Sequence, residues 1–215
     1  MGIEEDIMSI WAIIPVKPLS RAKSRLANVL SPQEREQLAE TLFRRVVTVV
    51  KSVPAIAGTL VISRDTRVMS IARDLGVNTV QESGNLELNM ALMRATQVVK
   101  GWRSEAVLIL PADLPLVAAE DVTALIGLGM DDHSMVIATD SHEDGTNALL
   151  IRPPGLIPYT YGPGSFGRHI QAAEEIGANV TVYRSERLML DIDTPADLEQ
   201  YYRLSGVTKS LTTGS

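Results

Sequence analysis

The chain has 215 residues, of which 45% are hydrophobic, and this fits one domain with a sizeable core. It contains no cysteine, which excludes disulfides, thiolate zinc sites and cysteine nucleophiles. Its 20 basic and 26 acidic side chains give a net charge of −6, which argues against a broad nucleic-acid-binding surface. No apolar run reaches the roughly 18 residues that a membrane helix needs, and the acidic N-terminus lacks a signal pattern. We therefore expect a soluble, cytoplasmic protein with neither a nucleic-acid nor a membrane partner.

The N-terminal half alternates short apolar runs with helical patterns. The run 10–16 is apolar and ends in a loop with prolines and lysines, which predicts a buried strand. Ser31 followed by Pro32 is typical of a helix start, so we expect a helix that runs to about residue 51. The next predicted elements, in chain order, are a strand at 59–63, a helix at 66–75, a strand at 77–81 and a helix at 86–100.

The C-terminal half continues the alternation. A fourth predicted strand at 106–110 stops abruptly at Pro111, and Asp113 follows two residues later. The remaining predicted elements, in chain order, are a helix at 119–128, strands at 135–139 and 148–151, a helix at 165–176, strands at 180–183 and 188–192, and a helix at 195–204.

Strands that alternate with helices predict an α/β fold with a mainly parallel central sheet and helices on both faces. We expect a single domain over 10–205, an N-terminal extension over 1–9 and a disordered polar tail over 206–215. Ligands of such sheets bind beyond the carboxyl ends of the strands. This rule points to the loops that follow the first, fourth and last predicted strands.

The loop after the first strand is basic. Within nine residues it carries four cations and two hydroxyls, namely Lys17, Ser20, Arg21, Lys23, Ser24 and Arg25. Such a loop suits a triphosphate, because fixed positive charges stabilise the charge that develops on a leaving pyrophosphate. It is not a P-loop, since the glycines of that motif are missing. A solvated basic loop is the alternative, and the position after the first strand favours a functional role.

Carboxylates follow the fourth and last predicted strands. Asp113 follows the fourth strand, and Asp191 and Asp193 share the same parity, so both would project from one face of the last strand. Oxygen ligands from two strand ends suit Mg²⁺, which commonly takes one or two carboxylates together with phosphates and water. Turn formation by Asp113 and a helix start at Thr194-Pro195 are the alternative explanations. The pattern predicts a magnesium site.

A Gly- and Pro-rich stretch opens the helix at 165–176. Free backbone N–H groups at a helix N-terminus bind anions, and Ser165, Arg168 and His169 share one face of the predicted helix. Together these side chains could hold a phosphate and a carboxylate. A glycine turn with a serine cap is the alternative, and it accounts for the glycines but not for the Arg-His pair.

A polar loop follows the third predicted strand. Residues 82–85, with Asn89 in the next helix, could contact the base or the ribose of a nucleotide. A loop that simply caps the helix is an equal alternative. We take Asn89 as the best candidate for a nucleotide contact in this region.

Several of these segments resemble a known family. The lysine-bearing loop, the Asp-Leu-Pro at 113–115 and the segment 191–198 look like those of GT-A type nucleotidyltransferases, including the molybdenum-cofactor guanylyltransferases. Other segments resemble the 2-phospho-L-lactate/phosphoenolpyruvate guanylyltransferases of coenzyme F-420 biosynthesis. These segments are 14–18, 22–26, 145–150 and 161–169, and the similarity extends from about residue 10 to residue 204.

The resemblance implies a Rossmann-like GT-A nucleotidyltransferase fold and transfer of GMP from GTP to a small phosphorylated acid. The implied roles are Mg²⁺ binding by Asp113 and Asp193 with help from Asp191, phosphate binding by Lys17, Lys23 and Arg25, and acid binding by Thr146, Gly162 and Ser165. Lys17, Lys23, Arg25 and Asp113 are the expected catalytic residues, Ser24 and Asn89 further nucleotide contacts, and Arg168 and His169 further acid contacts. The glycine-rich turn of sugar-nucleotide enzymes is replaced here by Pro-Val-Lys-Pro at 15–18, which argues against a sugar-1-phosphate substrate.

Other functions on the same architecture stay open at this point. They are a molybdenum-cofactor guanylyltransferase, a cytidylyltransferase, a GT-A glycosyltransferase and a nucleotide-binding protein without catalysis. The acceptor is also open among phosphoenolpyruvate, 2-phospholactate and 3-phosphoglycerate. The oligomeric state is undetermined, with a homodimer as one option.

Overall fold

The computed structural model describes residues 9–82 and 87–206, which form one seven-stranded sheet flanked by helices. The strands are β1 Ile10–Pro15, β2 Ile56–Ser63, β3 Asn78–Gln81, β4 Ala106–Ile109, β5 Ser134–Thr139, β6 Thr146–Arg152 and β7 Asn179–Val182. The helices are α1 Pro32–Lys51, α2 Thr66–Asp74, α3 Leu88–Gly101, α4 Ala119–Leu128, α5 Ser165–Glu175, α6 Glu186–Met189 and α7 Pro195–Ser205. Two short 3₁₀ turns, Leu19–Arg21 and Ser24–Leu26, lie between β1 and α1. Residues 1–8, 83–86 and 207–215 lie outside the described part of the chain. Most of the predicted N-terminal extension, of the polar loop at 82–85 and of the predicted tail therefore lies outside the described residues.

The sheet is mainly parallel, with the strand order β3-β2-β1-β4-β6-β5-β7. Only β6 is reversed, and it pairs antiparallel with both β4 and β5. Because β6 runs backwards, its first residues lie at the edge where the parallel strands end. Its Leu149 pairs with Ile109 at the end of β4, and Thr146 pairs with Thr139 at the end of β5. Thr146 is thereby brought to the edge at which α/β sheets bind their ligands.

Successive side chains of the central strands pack on opposite faces of the sheet. In β1, Ala12 and Ile14 join the cluster that contains Phe43 of α1, whereas Ile13 joins the cluster that contains Leu92 of α3. Helices α1, α2 and α4 contribute to the first cluster, and α3 and α5 to the second. The central strands β1 and β4 are apolar throughout because both of their faces are covered. The prediction of helices on both faces is confirmed.

Local capping fixes two of the helix starts. Ser31 and Glu34 form a capping box, in which the Glu34 amide donates to the Ser31 hydroxyl (3.3 Å) and the Ser31 amide donates to the Glu34 carboxylate (2.7 Å). Thr194 and Asp197 form an equivalent box at α7. Both helices then begin with proline at the first position, as the sequence predicts.

The predicted strand at 188–192 is wrong. This part of the chain contains α6, a single turn in which the amides of Leu188 and Met189 donate to the carbonyl of Ser185, followed by an irregular segment. The apolar residues of this segment are buried by different neighbours. Leu188 packs against the cluster of α1, α2 and α4, whereas Ile192 packs in a small third cluster with Leu26, Leu38, Leu42 and Leu198. Alternate residues are therefore buried here although the segment is not part of the sheet.

The other predicted elements are present, with ends that differ by a few residues. The largest differences are β2, which begins at Ile56, and β6, which begins at Thr146 and so includes residues that we expected in a loop. Within the described ranges, no helix combines the length and apolarity needed to cross a membrane.

Candidate active site

Three carboxylates meet beyond the carboxyl ends of the central strands. Asp113 comes from the loop after β4, and Asp191 and Asp193 come from the irregular segment before α7. One carboxylate oxygen from each lies within 4.8 Å of the others. The amide of Ile192 donates to the carbonyl of Asp113 (3.3 Å), which ties the two loops together. We name Asp113, Asp191, Asp193 and their partner Lys23 the acidic cluster.

The segment that carries Asp191 and Asp193 is anchored at both ends. Before it, Arg187 of α6 donates two hydrogen bonds to the buried carboxylate of Asp121 (2.7 and 2.9 Å). After it, the Asp197 carboxylate accepts from the Asp193 amide (3.1 Å). An irregular segment has no ladder of backbone hydrogen bonds, so these side chains supply the restraint that a strand would otherwise give.

Lys23 bridges the two loops of the acidic cluster. Its ammonium donates to Asp113 (2.9 Å) and to Asp193 (3.3 Å), and its side chain is only 6% exposed. Lys23 has a left-handed backbone conformation (φ 53°), which is uncommon for a residue other than glycine. This conformation separates the two 3₁₀ turns and directs the side chain inward.

The charges in the cluster shift one another's pKa values. Burial alone would lower the pKa of Lys23, but Asp113 and Asp193 outweigh it and raise that pKa above the usual value. Burial alone would raise the pKa of Asp113, but the nearby Lys23, and to a lesser extent Lys17, lowers it. Lys23 and Asp113 therefore form an ion pair in the folded protein.

Asp191 behaves differently from Asp113. Burial and then the charges of Asp113 and Asp193 raise the pKa of Asp191 to about 6, although Asn147 and Lys23 act in the opposite direction. Its neighbours thus disfavour a third negative charge, which is the electrostatic condition that a bound cation relieves.

The remaining predicted residues of the basic loop are exposed. Lys17 is exposed and lines the cleft described below. Arg25 is 73% exposed at its side chain and reaches Asp193 at 3.5 Å. Ser24 is exposed in the second 3₁₀ turn. Only Lys23 of this loop is buried against the acids.

A cleft of about 490 Å³ joins the acidic cluster to the start of α5. The predicted site residues that line it are Lys17, Lys23, Asp113, Thr146, Gly162, Ser165, Asp191 and Asp193. Its other walls include Arg64 and Glu82, which follow β2 and β3. The cleft thus brings together loops that lie far apart in the sequence.

The far end of the cleft carries neutral polar groups. The hydroxyl of Ser165 donates to the hydroxyl of Thr146 (3.1 Å), and Thr146 is also 3.0 Å from Nδ1 of His169. Nε2 of His169 accepts from the amide of Thr160 (3.0 Å). His169 is fully buried and lies behind the cleft wall instead of lining it. We name Thr146, Ser165 and His169 the hydroxyl cluster.

Two predicted contacts have other partners in the structure. Asn89 donates to the carbonyl of Tyr161 (3.2 Å) and accepts from its amide (2.8 Å), so its amide group ties α3 to the stretch before α5. Arg168 donates to the carbonyls of Pro163 and Thr160. Neither residue is among those that line the cleft, and the ligand contacts expected of both stay predictions.

The sequence reasoning missed two polar residues beside the cleft. Asn147 donates to the carbonyl of Leu188 (2.8 Å) and approaches Asp191 (3.4 Å), which connects β6 to the acidic cluster. Asp140 accepts from three backbone amides, including that of Gly145 (2.8 Å), and so shapes the turn before Thr146. In the sequence, Asn147 could have been identified from the polar Thr-Asn pair that directly precedes the apolar run 148–151.

Comparison with known proteins finds relatives that are similar over most of the chain. The chain is 41% identical over 93% of its length to the phosphoenolpyruvate guanylyltransferase of Rubrobacter xylanophilus, of which it covers 97%. It is 36% identical over 89% of its length to the 2-phospho-L-lactate guanylyltransferase of Methanothermobacter thermautotrophicus, of which it covers 83%.

A solved structure supports the fold independently. A candidate nucleotide-diphospho-sugar transferase from Desulfovibrio desulfuricans superposes with a TM-score of 0.76 at 16% identity, over 94% of this chain and 90% of that one. Residues 10–209 match the family described as CofC-like guanylyl transferases. This protein therefore belongs to the CofC family and is a guanylyltransferase.

Proposed function

We propose that the enzyme transfers GMP from GTP to phosphoenolpyruvate, releases pyrophosphate, and acts in the biosynthesis of coenzyme F-420. The observation that carries this proposal is the cleft itself, which has cations and carboxylates at one end and hydroxyl groups beside a helix N-terminus at the other. The name of the Rubrobacter relative favours phosphoenolpyruvate. The name of the Methanothermobacter relative makes 2-phospho-L-lactate the second candidate.

The acidic cluster suits the nucleotide phosphates and Mg²⁺. Three carboxylates within 4.8 Å of one another form an all-oxygen donor set, which fits a hard divalent cation. We assign the cation to Asp113 and Asp193, with Asp191 as a third ligand. Bound there, Mg²⁺ would neutralise charge on the nucleotide phosphates.

The basic residues complete the nucleotide half. Lys17 lines the same cleft, and Lys23 lies against two of the acids. We assign both lysines to the phosphates of GTP, with Arg25 and Ser24 at the entrance. Their fixed charges oppose the negative charge that builds up on the departing pyrophosphate.

The hydroxyl cluster suits the phosphorylated acid. Thr146 and Ser165 present hydroxyl oxygens at the cleft wall, and Gly162 lies beside them. Ser165 is also the first residue of α5, an eleven-residue helix whose N-terminal amides and dipole favour an anion. We assign the acceptor substrate to these three residues.

The reaction is an in-line displacement at phosphorus. A phosphate oxygen of the acceptor forms a bond to the α-phosphorus of GTP, while the bond from that phosphorus to the bridging oxygen breaks and its electron pair leaves with pyrophosphate. A phosphate monoester has a second pKa of about 6, so the attacking group is already ionised near neutral pH. The protein residues then need only to hold the two substrates in line and to neutralise charge.

An acceptor panel tests this proposal. The purified protein is incubated with GTP, Mg²⁺ and one of phosphoenolpyruvate, 2-phospho-L-lactate or 3-phosphoglycerate, and pyrophosphate release and product mass are measured. We expect a GMP adduct with phosphoenolpyruvate as the best acceptor. Product from CTP but not GTP would make the enzyme a cytidylyltransferase, and GTP binding without product from any acceptor would contradict the proposed reaction.

Two further proposals concern its setting. We place the reaction in the cytoplasm, where GTP and phosphoenolpyruvate are available. A homodimer stays a prediction, which light scattering of the purified protein will check.

A further inference from the structure

Both ring nitrogens of the fully buried His169 form hydrogen bonds. The amide of Thr160 donates to Nε2 at 3.0 Å, so Nε2 must carry a lone pair and not a proton. In a neutral imidazole the proton then resides on Nδ1. Nδ1–H therefore donates to the hydroxyl oxygen of Thr146 at 3.0 Å.

The surroundings of His169 keep its ring neutral. Burial, and secondly the charge of the neighbouring Arg168, lower the pKa of His169 to about 4. A charged ring would also have to donate from Nε2, where it faces the amide of Thr160, another donor. The hydrogen-bond direction and the electrostatics favour the same tautomer.

The oxygen of Thr146 accepts a second hydrogen bond. The hydroxyl of Ser165 donates to it at 3.1 Å. A hydroxyl oxygen has two lone pairs and one proton, so these two bonds leave Thr146 only its own O–H. Across residues 9–82 and 87–206, the Thr146 hydroxyl makes no hydrogen bond beyond these two, and Thr146 lines the cleft. The proton is free to point at a ligand.

We propose that His169 is a positioning residue that makes Thr146 an obligate hydrogen-bond donor toward an anionic oxygen of the acceptor substrate. The identity of that ligand rests on the proposed function. The three residues form a directed chain, in which His169 and Ser165 donate to Thr146 and Thr146 donates to a phosphate or carboxylate oxygen. Such a site favours an oxygen that only accepts over a group that must donate.

A pair of substitutions separates this role from simple packing. His169→Asn places an amide donor near the position of Nδ1 but loses the acceptor for Thr160. His169→Gln can keep that acceptor but loses the donor to Thr146. We expect the KM for phosphoenolpyruvate to rise at least about tenfold in the Gln variant and to stay within about threefold in the Asn variant, since bonds to charged groups are the stronger ones.

The controls use the same assay. The KM for GTP should stay within about threefold in both variants, and His133→Asn, at an exposed histidine in a loop before β5, should change neither constant. An equal rise in both His169 variants, a rise in the Asn variant alone, or no rise in either would overturn the proposal. If wild-type enzyme yields no product with any acceptor, the proposed function fails instead, so the two failures are distinguishable.

Two measurements remain decisive if the His169 variants do not fold. Thr146→Val should raise the KM for phosphoenolpyruvate by about tenfold or more, and by clearly more than Thr146→Ser, which keeps the hydroxyl. Nitrogen-15 NMR of the wild-type ring should show the proton on Nδ1. A ring protonated at Nε2, or a normal KM in the Val variant, would refute the directed chain.

Discussion

The two ends of the cleft are held together by different forces. The acidic cluster consists of charged side chains from irregular loops, linked by Lys23 through ion pairs of 2.9 and 3.3 Å. The hydroxyl cluster consists of neutral groups on β6 and α5, linked by hydrogen bonds of 3.0 and 3.1 Å and almost fully buried. In the proposed assignment, one end would neutralise charge that changes during the reaction, while the other would hold a substrate anion in a fixed orientation.

This difference predicts where each substrate is most sensitive to substitution. If phosphates and a cation bind at the acidic cluster as proposed, its ion pairs would rearrange, so changes there should affect the chemical step. The neutral network at the hydroxyl cluster is already in place before the acceptor arrives, so changes there should affect acceptor binding. Asn147 lies between them, with contacts to the segment of Asp191 and a position next to Thr146.

The largest effect is expected from Asp113→Asn. The substitution keeps the volume of the side chain but removes a charge that we assign to Mg²⁺ binding. Stabilisation of transition-state charge by a metal amounts to several kcal/mol, so kcat should fall by about 10³-fold or more at saturating substrates. Asp132→Asn, at an exposed acid in the loop before β5, is the matched control and should retain wild-type kcat. Near-normal turnover by the Asp113 variant would remove Asp113 from the metal site.

A smaller effect is expected from Lys23→Met, which removes the ammonium but keeps the length of the side chain. Because the charge of Lys23 would oppose that of the departing pyrophosphate, kcat/KM for GTP should fall by about 10- to 100-fold. Arg21→Met removes one charge from the same loop at an exposed position outside the cleft. If both variants lose activity equally, the loop acts only through its overall charge.

Ser165→Ala probes the other end of the cleft. The loss of one hydroxyl near a bound anion should raise the KM for phosphoenolpyruvate by about tenfold, while the KM for GTP stays within about threefold. Thr123→Ala is the matched control, since that exposed hydroxyl donates to the carbonyl of Ala119 within α4. A selective rise in the KM for GTP would mean that the two ends of the cleft are assigned in reverse.

Local sequence pattern was sufficient for the fold and for the acids. Apolar periodicity located the strands and helices because strands covered on both faces are apolar throughout, and Asp113 stood out where such a run stops. The reversed direction of β6 is not visible in its own residues, since parallel and antiparallel strands show the same apolar run. The strand expected at 188–192 was wrong for a related reason, because loop packing also buries alternate residues.

The roles of single polar side chains depended on distant contacts. The sequence did not show that Asn89 forms hydrogen bonds with Tyr161, which is 72 residues away. His169 shares a helix face with Ser165, which the spacing predicted, but its contact with Thr146 comes from a strand 23 residues earlier. Hydrogen bonds of this kind are set by the tertiary fold, so spacing alone could identify the residues but not their partners.

The smallest effect concerns pH and follows from the neutral state of His169. The pKa of His169 is lowered from 6.5 to about 4 in the folded protein, so protonation favours unfolding. The associated stability is fully present above pH 6.5 and is lost as the pH falls toward 4. Between pH 8 and pH 6 this stability should fall by about 0.8 kcal/mol. The measurement is the unfolding free energy of wild type minus that of His169→Gln, compared at the two pH values.

The KM for phosphoenolpyruvate tests the same neutral state of His169. Between pH 8 and pH 6 the ratio of the wild-type and His169→Gln KM values should change less than about twofold, since about 1% of the folded rings are charged at pH 6. A KM ratio that changes steeply below pH 7 would show that His169 has an ordinary histidine pKa. The hydroxyl cluster would then gain a charge near neutral pH, and the contrast with the charged acidic cluster would be lost.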